Sequence, residues 1–381
     1  MEWKLNNCCL SISDGDHLPP PKSDTGIPFI TISNINDNQV DFSNTAYVPI
    51  DYYEKLDKIR KAQPGDILYS VVGSFGKPVL IKDDRKFVFQ RHIAILRPNK
   101  SIVDSRYLYY TMSSQSFFSQ ADSFAIGAAQ RTISLTSLRK MKVELPPLEM
   151  QLCVASILST YDNLIENNNK RIRLLEQMAE NLYKEWFVRF RFPGHENAEF
   201  ENGLPKGWKR AQLKTICKFE RGKNITASEM ISGSVPVISA GVSPSGFHNQ
   251  SNVFGASVTI SSSGANAGFI SIHYEDIWAA DCSFISEEST KYIYYVYEVL
   301  NNMRPVVDNL QRGAAQPHVY PKDLNRILVV VPEEHIREKA NDRFYQLHQL
   351  ISKLLQQNKH LSRQRDLLLP RLMSGKLEVK V

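Results

Sequence analysis

The sequence predicts an α+β protein that is built twice over. We expect two pseudo-symmetric globular domains of mostly antiparallel β-sheet with short helices, separated by two long helices that form an antiparallel coiled coil. Two observations lead to this fold class: apolar residues repeat with heptad spacing in two stretches, and short segments recur at about half the chain length. The boundaries that follow are 1–145 for the first globular domain, 146–192 for the first long helix, 193–207 for a linker, 208–331 for the second globular domain and 332–381 for the second long helix.

The two long helices are predicted from apolar residues at alternating steps of three and four, the a/d pattern of a helix that pairs with another helix. Pro146 and Pro332 lie where each helix opens, and a first-turn proline forfeits no hydrogen bond. Asn168 or its neighbour Asn169, and Asn358, bring amides to these seams, where they either fix the register or face water. The seam residues are Leu158, Tyr161, Ile165, Ile172, Leu175 and Leu182 in the first helix and Phe344, Leu347, Ile351, Leu354, Asn358 and Leu361 in the second.

The duplication is visible in matched segments. Gly127-Ala128-Ala129-Gln130 recurs as Gly313-Ala314-Ala315-Gln316, and the same offset carries Pro146 onto Pro332. β-branched and aromatic runs with Gly, Asp and Asn punctuation predict strands, and each globular domain also has one apolar stretch of helical character. The predicted strands are 28–32, 66–72, 79–81 and 92–96 in the first domain and 235–239, 257–261, 268–273 and 277–280 in the second, with helices at 105–113 and 292–301.

Composition places few limits on function. The 381 residues carry a formal net charge of +6, which permits a nucleic-acid partner without indicating one. The amino terminus lacks the pattern of a signal peptide, and no apolar run is long enough to span a bilayer. The five cysteines are scattered and form no metal-binding motif, which is typical of buried thiols in a reducing cytoplasm. We therefore expect a cytoplasmic protein that binds no metal.

Catalytic motifs are missing from the sequence. There is no P-loop, no HExxH and no dinucleotide-binding glycine motif between a strand and a helix. Residues 73–77, Gly-Ser-Phe-Gly-Lys, resemble a phosphate loop only superficially, because the following Ser or Thr and the spacing are lacking. There is also no Asn/Asp-Pro-Pro-Tyr/Phe segment of the kind that amino-methyltransferases use. The pattern indicates a chain that binds and does not catalyse.

DNA-binding candidates lie in the turn-rich stretches. Amides can read adenine, Arg can read guanine, and Lys, Ser and Thr can hold phosphate. The shared Gly-Ala-Ala-Gln segments are explained by a shared turn, whereas the residues after each Gln differ between the copies and either read different DNA sequences or are only solvated. The candidates are Ser74, Lys77, Gln130, Arg131 and Thr132 in the first domain and Asn266, Arg312, Gln316, His318 and Tyr320 in the second.

Several of these motifs resemble one known family. Leu145-Pro146-Pro147-Leu148-Glu149, the helix end Leu182-Tyr183-Lys184-Glu185-Trp186-Phe187 and the carboxy-terminal segment 363–375 are similar to the conserved helices of type I restriction–modification specificity subunits. Residues 65–68, residues 73–77 and the two Gly-Ala-Ala-Gln segments are similar to signatures of their target recognition domains. The resemblance covers the whole chain. The second copy departs from it at 264–268, Gly-Ala-Asn-Ala-Gly, which has no lysine.

The resemblance implies a non-catalytic DNA-recognition subunit. Each target recognition domain would read one half of a bipartite asymmetric site on double-stranded DNA, and the paired helices would set the spacing and hold two methyltransferase subunits. Two restriction subunits, the motor-nucleases, would complete the enzyme. No cofactor would bind this chain: S-adenosylmethionine would bind the methyltransferase, and ATP and Mg the restriction subunit. The alternatives are a subunit of a methylation-only or type II-like system, a self-sufficient methyltransferase or nuclease, and a coiled-coil assembly protein without a DNA role.

Overall fold

The structure, a computed structural model, describes residues 1–17, 19–36, 38–128, 130–313 and 316–379. The chain divides into two compact units, Met1–Glu166 with Asn358–Val381, and Asn167–Gln357. Each unit holds one globular domain and one portion of each long helix. Three alanines of the duplicated tetrapeptides, Ala129, Ala314 and Ala315, lie outside the described residues.

Unit 1 contains the first eleven strands and the first five helices, and it shares the long helix α6 with unit 2. The strands are β1 Glu2–Lys4, β2 Cys9–Asp14, β3 Ile27–Ile30, β4 Ile35–Asn36, β5 Gln39–Val40, β6 Ala46–Val48, β7 Ile67–Ser70, β8 Pro78–Leu80, β9 Val88–Phe89, β10 Ile93–Pro98 and β11 Lys142–Glu144. The helices are α1 Leu5–Cys8, α2 Ile50–Lys55, α3 Ser105–Ser113, α4 Gln115–Phe124, α5 Leu135–Lys140 and α6 Leu148–Tyr183.

Unit 2 contains the remaining strands, three short helices and part of the second long helix. The strands are β12 Phe200–Glu201, β13 Leu204–Pro205, β14 Lys209–Gln212, β15 Glu220–Arg221, β16 Val235–Ile238, β17 Gly246–His248, β18 Ser257–Ser261, β19 Ile270–His273, β20 Trp278–Ala279, β21 Cys282–Ser286 and β22 Leu328–Val331. The helices are α7 Ile293–Asn302, α8 Arg304–Asp308, α9 Pro321–Leu324 and α10 Glu334–Met373.

The sheets of the two units have the same strand order. In unit 1 the order is β2-β10-β7-β8 in the four-stranded sheet and β6-β3-β9 in the three-stranded sheet, and β1 pairs with β11. In unit 2 the corresponding orders are β15-β21-β18-β19 and β17-β16-β20, and β14 pairs with β22. Even the parallel pairs correspond, since β3 pairs with β9 and β16 with β20. The duplicated sequence therefore folds as a duplicated structure.

The core of unit 1 closes on both long helices. Val154 and Leu158 of α6 and Leu372 of α10 are buried in one cluster with residues of α3 and the four-stranded sheet. Further along α6, Asp162 accepts a hydrogen bond of 2.6 Å from Arg365 Nη1 of α10. Because the residue number rises on α6 while it falls on α10, the two helices run antiparallel in this unit. Asp162 also accepts a hydrogen bond of 2.5 Å from the hydroxyl of Tyr110, so α3 is bound at the same point.

Unit 2 repeats this arrangement with different side chains. Ile172 of α6 packs with Ile351 and Leu354 of α10, and Ala179 joins Phe344 in the main core, so the helices are antiparallel here too. His348 has the same place in the repeat as Asp162. Its imidazole is 1% exposed; Nε2 lies 2.9 Å from Glu298 Oε1 of α7, and Nδ1 lies 2.7 Å from the Tyr274 hydroxyl.

The predicted fold class is confirmed: the protein is α+β, its sheets are mostly antiparallel, and its two long helices are antiparallel within each unit. Every predicted seam residue is buried or partly buried. Asn168 is 4% exposed and donates from Nδ2 to Gln357 Oε1 at 3.0 Å, which favours the register-fixing interpretation over the water-facing one. The globular helices were placed within about one residue of α3 and α7.

Some elements differ from the prediction. The α-helix of α6 ends at Tyr183 and continues as a π-helical segment, Lys184–Val188, so it stops short of the predicted end at 192. The segment 193–207, expected as a linker, contains the hairpin β12–β13 and packs against the core of unit 2, in which Leu204 is buried. Strand β19 begins at Ile270 because Gly268, with a φ of 86°, turns the chain before it.

Candidate nucleic-acid interface

In unit 1 two loops are joined at the end of β7. We call residues 72–77 and 126–132 the first reading loops. Ile126 and Thr132 exchange backbone hydrogen bonds of 3.0 and 2.8 Å, which closes a turn that includes Gly127, Ala128 and Gln130. Gly73 N then donates to Arg131 O at 3.0 Å and joins this turn to the loop that follows β7. The two loops therefore form one surface.

Unit 2 has the same construction. We call residues 263–268 and 312–318 the second reading loops. Arg312 and His318 exchange backbone hydrogen bonds of 2.9 and 2.8 Å, and Gly264 N donates to Pro317 O at 3.1 Å. Each bond has a counterpart at the equivalent residue of unit 1, so the backbone frame is common to both units and the side chains on it differ.

The shared glycines explain the shared tetrapeptide. Gly127 and Gly313 have φ values of 105° and 99°, in the left-handed region that favours glycine. A Cβ at either position would lie 2.6 or 2.7 Å from the carbonyl oxygen of the Gln three residues later. The structure thus supports the interpretation that both domains need the same turn. It leaves the variable residues beside the turn as the candidates for recognition.

The candidates of unit 1 divide into exposed and held side chains. Ser74, Lys77 and Gln130 are exposed. The guanidinium of Arg131 binds Asp122, donating to its carboxylate and, at 2.6 Å, to its carbonyl oxygen. The same guanidinium lies 5.4 Å from the ring centroid of Phe75. Thr132 is part of the backbone ladder that closes the turn. Arg131 is therefore preorganised, with its side chain 42% exposed.

The candidates of unit 2 carry different chemistry. Asn266 and Gln316 are exposed. Arg312 is 62% exposed and donates from Nη2 to Asp323 Oδ1 at 2.8 Å, although Asp323 itself is only 5% exposed. The ring of His318 stacks on that of Tyr320 at 6.0 Å. A stacked aromatic pair beside an anchored arginine can contact bases as well as backbone.

One set of residues beside the reading loops was missed by the sequence analysis. Each of the edge strands β2 and β15 is followed by a glycine that packs closely against the backbone of another segment. A Cβ on Gly15 would lie 1.9 Å from Phe89 O, and one on Gly222 would lie 2.3 Å from Ala280 O. Asp14 precedes the first glycine and Arg221 the second. Strand β15 has two residues and shows no hydrophobic alternation, so the signal that would have found this pair of residues is an alignment of the two repeats at their glycines.

The acidic corner of unit 1, formed by Asp14 and Asp16, is partly compensated by Arg60. Asp16 accepts hydrogen bonds from the Tyr52 hydroxyl at 2.8 Å and from Arg60 Nη1 at 3.4 Å. Asp14 lies 3.0 Å from His17 Nε2 and 4.0 Å from Arg60. Burial, and then the bond to Asp16, raise the pKa of Tyr52 to about 12, so the hydroxyl keeps its proton and remains a donor. With two carboxylates against one guanidinium, this corner offers DNA no positive charge.

Both long helices expose large apolar side chains. In unit 1 these are Leu148 (37% exposed), Leu152 (42%), Leu164 (45%) and Leu367 (56%). In unit 2 they are Leu174 (60%), Met178 (55%), Tyr345 (47%), Leu350 (48%) and Leu355 (44%). Exposed apolar residues grouped on a helix surface are typical of a protein–protein contact. Leu164 and Leu350 have the same place in the repeat.

Two further observations concern the residues that the structure describes. No group of three or more His, Cys, Asp or Glu side chains among them is placed to hold a metal ion. Within the same ranges, the search for a helix with the length and hydropathy needed to cross a bilayer gives none.

Comparison with known proteins defines the class. The family profile named "Type I restriction modification DNA specificity domain" matches residues 16–177 and again 205–365, one match for each repeat. The chain is 25% identical over 405 residues to a Methanocaldococcus jannaschii protein described as the type I restriction enzyme MjaX specificity subunit, covering 100% of this chain and 94% of the relative. It is also 25% identical over 310 residues to the MjaIX specificity subunit of that organism, covering 74% and 71%.

A solved structure has the same fold. The type I restriction–modification S subunit from M. genitalium superposes with a TM-score of 0.60 at 18% identity, covering 98% of this chain and 95% of that one. The chain belongs to the family of type I restriction modification DNA specificity domains, as its motifs predicted. It is a specificity subunit of the type I class, a DNA-recognition subunit and not itself the enzyme.

Proposed function

We propose that each unit reads one half of a bipartite, asymmetric site on double-stranded DNA. The observation that carries this proposal is the common frame of the reading loops, in which the same backbone hydrogen bonds present different side chains in the two units. A shared frame with different contents is what two readers of different half-sites require. The candidate residues of the two reading surfaces remain those predicted from the sequence.

The spacing between half-sites is assigned to the long helices. α6 and α10 are continuous and each contributes to both compact units. A helix of 36 residues is about 54 Å long, and one helical turn of DNA is about 34 Å. Helices of this length, held in register by Asn168 and the apolar seam, would fix the separation of the half-sites within one to two turns.

Catalysis is assigned to partner chains. Two methyltransferase subunits would dock on the exposed apolar side chains of α6 and α10, and two restriction subunits would complete the assembly. S-adenosylmethionine would bind the methyltransferase, and ATP and Mg would bind the restriction subunit, so this chain would bind no cofactor. If the chain were a self-sufficient methyltransferase, the purified chain alone would transfer methyl groups to DNA; we expect that it does not.

The test is the methylome of a host with and without this chain. Loss of one bipartite methylated motif on deletion is the expected result, and an unchanged methylome would refute the proposal. Replacing residues 208–331 with the corresponding domain of another specificity subunit should change one half of the motif and keep the spacing. A change in both halves would show that the units do not read separately.

A further inference from the structure

We infer that Arg221 reads a guanine in the half-site of unit 2, an inference that rests on the proposed function. Arg221 ends the edge strand β15, pairs with Ser283 of β21 through the backbone, and has a side chain that is 41% exposed. It lies beside the second reading loops, but it belongs to neither of them.

The guanidinium is fixed by a carboxylate that is itself fixed. Arg221 Nη2 donates to Asp281 Oδ1 at 2.5 Å, and Ser263 Oγ donates to Asp281 Oδ2 at 2.5 Å. Ser263 is 8% exposed and bridges to His318 through the backbone ladder. Asp281 therefore links Arg221 to the second reading loops. A guanidinium has five N–H donors, so this bond leaves a planar edge of the fork for a ligand.

The pairing favours a base edge over a phosphate. Because the Asp281 carboxylate neutralises the guanidinium, a phosphate approaching the pair would be attracted by one group and repelled by the other. The major-groove edge of guanine is uncharged and presents two acceptors, O6 and N7, which match the arginine fork. A side chain already held in place also loses less conformational entropy on binding than a free one.

The repeat shows that the sheet does not need an arginine at this position. The equivalent residue of unit 1, before Gly15, is Asp14, which pairs with His17 and Arg60. Two residues further on, Asp16 of unit 1 corresponds to Lys223 of unit 2. The end of this edge strand and the turn after it are thus acidic in unit 1 and basic in unit 2. A position that keeps its backbone geometry and reverses its charge fits a role in specificity.

The experiment uses the complete complex with its methyltransferase subunits and duplexes built on the motif found by methylome sequencing. Each base pair of both half-sites is varied in turn, and affinities are measured by fluorescence anisotropy at several salt concentrations. Arg221→Ala should reduce the preference for guanine at one position of the unit 2 half-site by about 5- to 150-fold. Arg221→Lys keeps the charge and loses the fork, so it should lose most of the same preference.

The controls separate the possible failures. Arg189, which pairs with Glu185 of the π-helical segment after α6, gives a matched Arg→Ala variant that should keep every preference. A complex that shows no sequence preference with the unchanged chain would refute the proposed function. Full preference at every position in both Arg221 variants would refute the inference alone. So would an equal loss of affinity on all duplexes with a salt slope smaller by about 0.9, which would identify a phosphate contact.

Discussion

The buried pair between Glu298 and His348 gives a sharp test of how unit 2 is held on the long helices. The Glu298 side chain is 4% exposed and that of His348 is 1% exposed, and their hydrogen bond is 2.9 Å long. Removing one partner of a buried hydrogen-bonded pair costs about 1–3 kcal/mol, because the other polar group is left unsatisfied. Glu298→Ala should therefore destabilise unit 2 by about that amount. Glu298→Gln keeps an acceptor and should cost about 1 kcal/mol.

Hydrogen exchange measured by mass spectrometry on the full chain resolves the effect by unit. A loss of about 1–3 kcal/mol corresponds to amide exchange in α7 that is faster by roughly 5- to 150-fold, with unit 1 unchanged. Glu338→Ala is the matched control, because this carboxylate lies on α10, the helix that carries His348, and pairs with Lys291 at the surface, where screening leaves little to lose. If α7 exchanged within about twofold of the unchanged protein in Glu298→Ala, the assigned role of the pair would be wrong.

Three further predictions concern other residues. Asp162→Ala should lower the stability of unit 1 by about 1.5–3 kcal/mol, measured by exchange in α3, because Tyr110 and Arg365 lose a charged acceptor. Burial lowers the pKa of His273 to about 4, so between about pH 6.5 and 4 the unfolded chain takes up a proton that the folded chain does not. The free energy of unfolding should therefore decrease as the pH is lowered through that window. Between pH 7 and 5 the melting temperature of His273→Asn should fall less than that of the unchanged protein. Gly127→Ala should disrupt the turn that Ile126 and Thr132 close. It should weaken base discrimination in the unit 1 half-site alone, measured as binding to duplexes that differ at single base pairs.

Each of these predictions has a control variant or a result that would contradict it. Gly194 has a similar φ of 92° but no atom within 4 Å of an added Cβ, so Gly194→Ala should keep all specificity. Equal pH dependence in the unchanged protein and His273→Asn would contradict the assignment to this imidazole. Equal exchange in α3 with and without the Asp162 carboxylate would show that Tyr110 and Arg365 find other partners.

The long helices and the duplication could be predicted from patterns that extend over many residues. The a/d seam and the repeated tetrapeptide are read directly from the sequence, because helix periodicity and duplication extend over many residues. The burial of Asn168 was one of two open interpretations, since an amide at a seam can point either way. Strands of two residues, such as β12 and β15, contain no alternation and could not be predicted.

The contacts that fasten the globular domains to the helices were also beyond sequence reasoning. Asp162 and His348 look like ordinary polar residues flanking a seam, and nothing local shows that one meets a tyrosine and the other a buried carboxylate. Such pairs depend on the placement of α3 and α7, which only the folded sheets determine. Their equivalence in the repeat becomes meaningful once both partners are known.

His348 belongs to the helix, whereas Glu298 and Tyr274 belong to the domain that the helix carries. If recombination replaced residues 208–331 with the domain of another specificity subunit, the new domain would have to pack against His348, which is positioned for Glu298 and Tyr274. A replacement domain with an acidic residue facing His348 would keep the hydrogen bond. A domain with an aliphatic residue there would leave a buried ring nitrogen without a partner. Compatibility with His348 would then be one filter on the interchange of specificities, independent of the bases read, beside contacts such as that of Tyr295 N with Asn341 Oδ1.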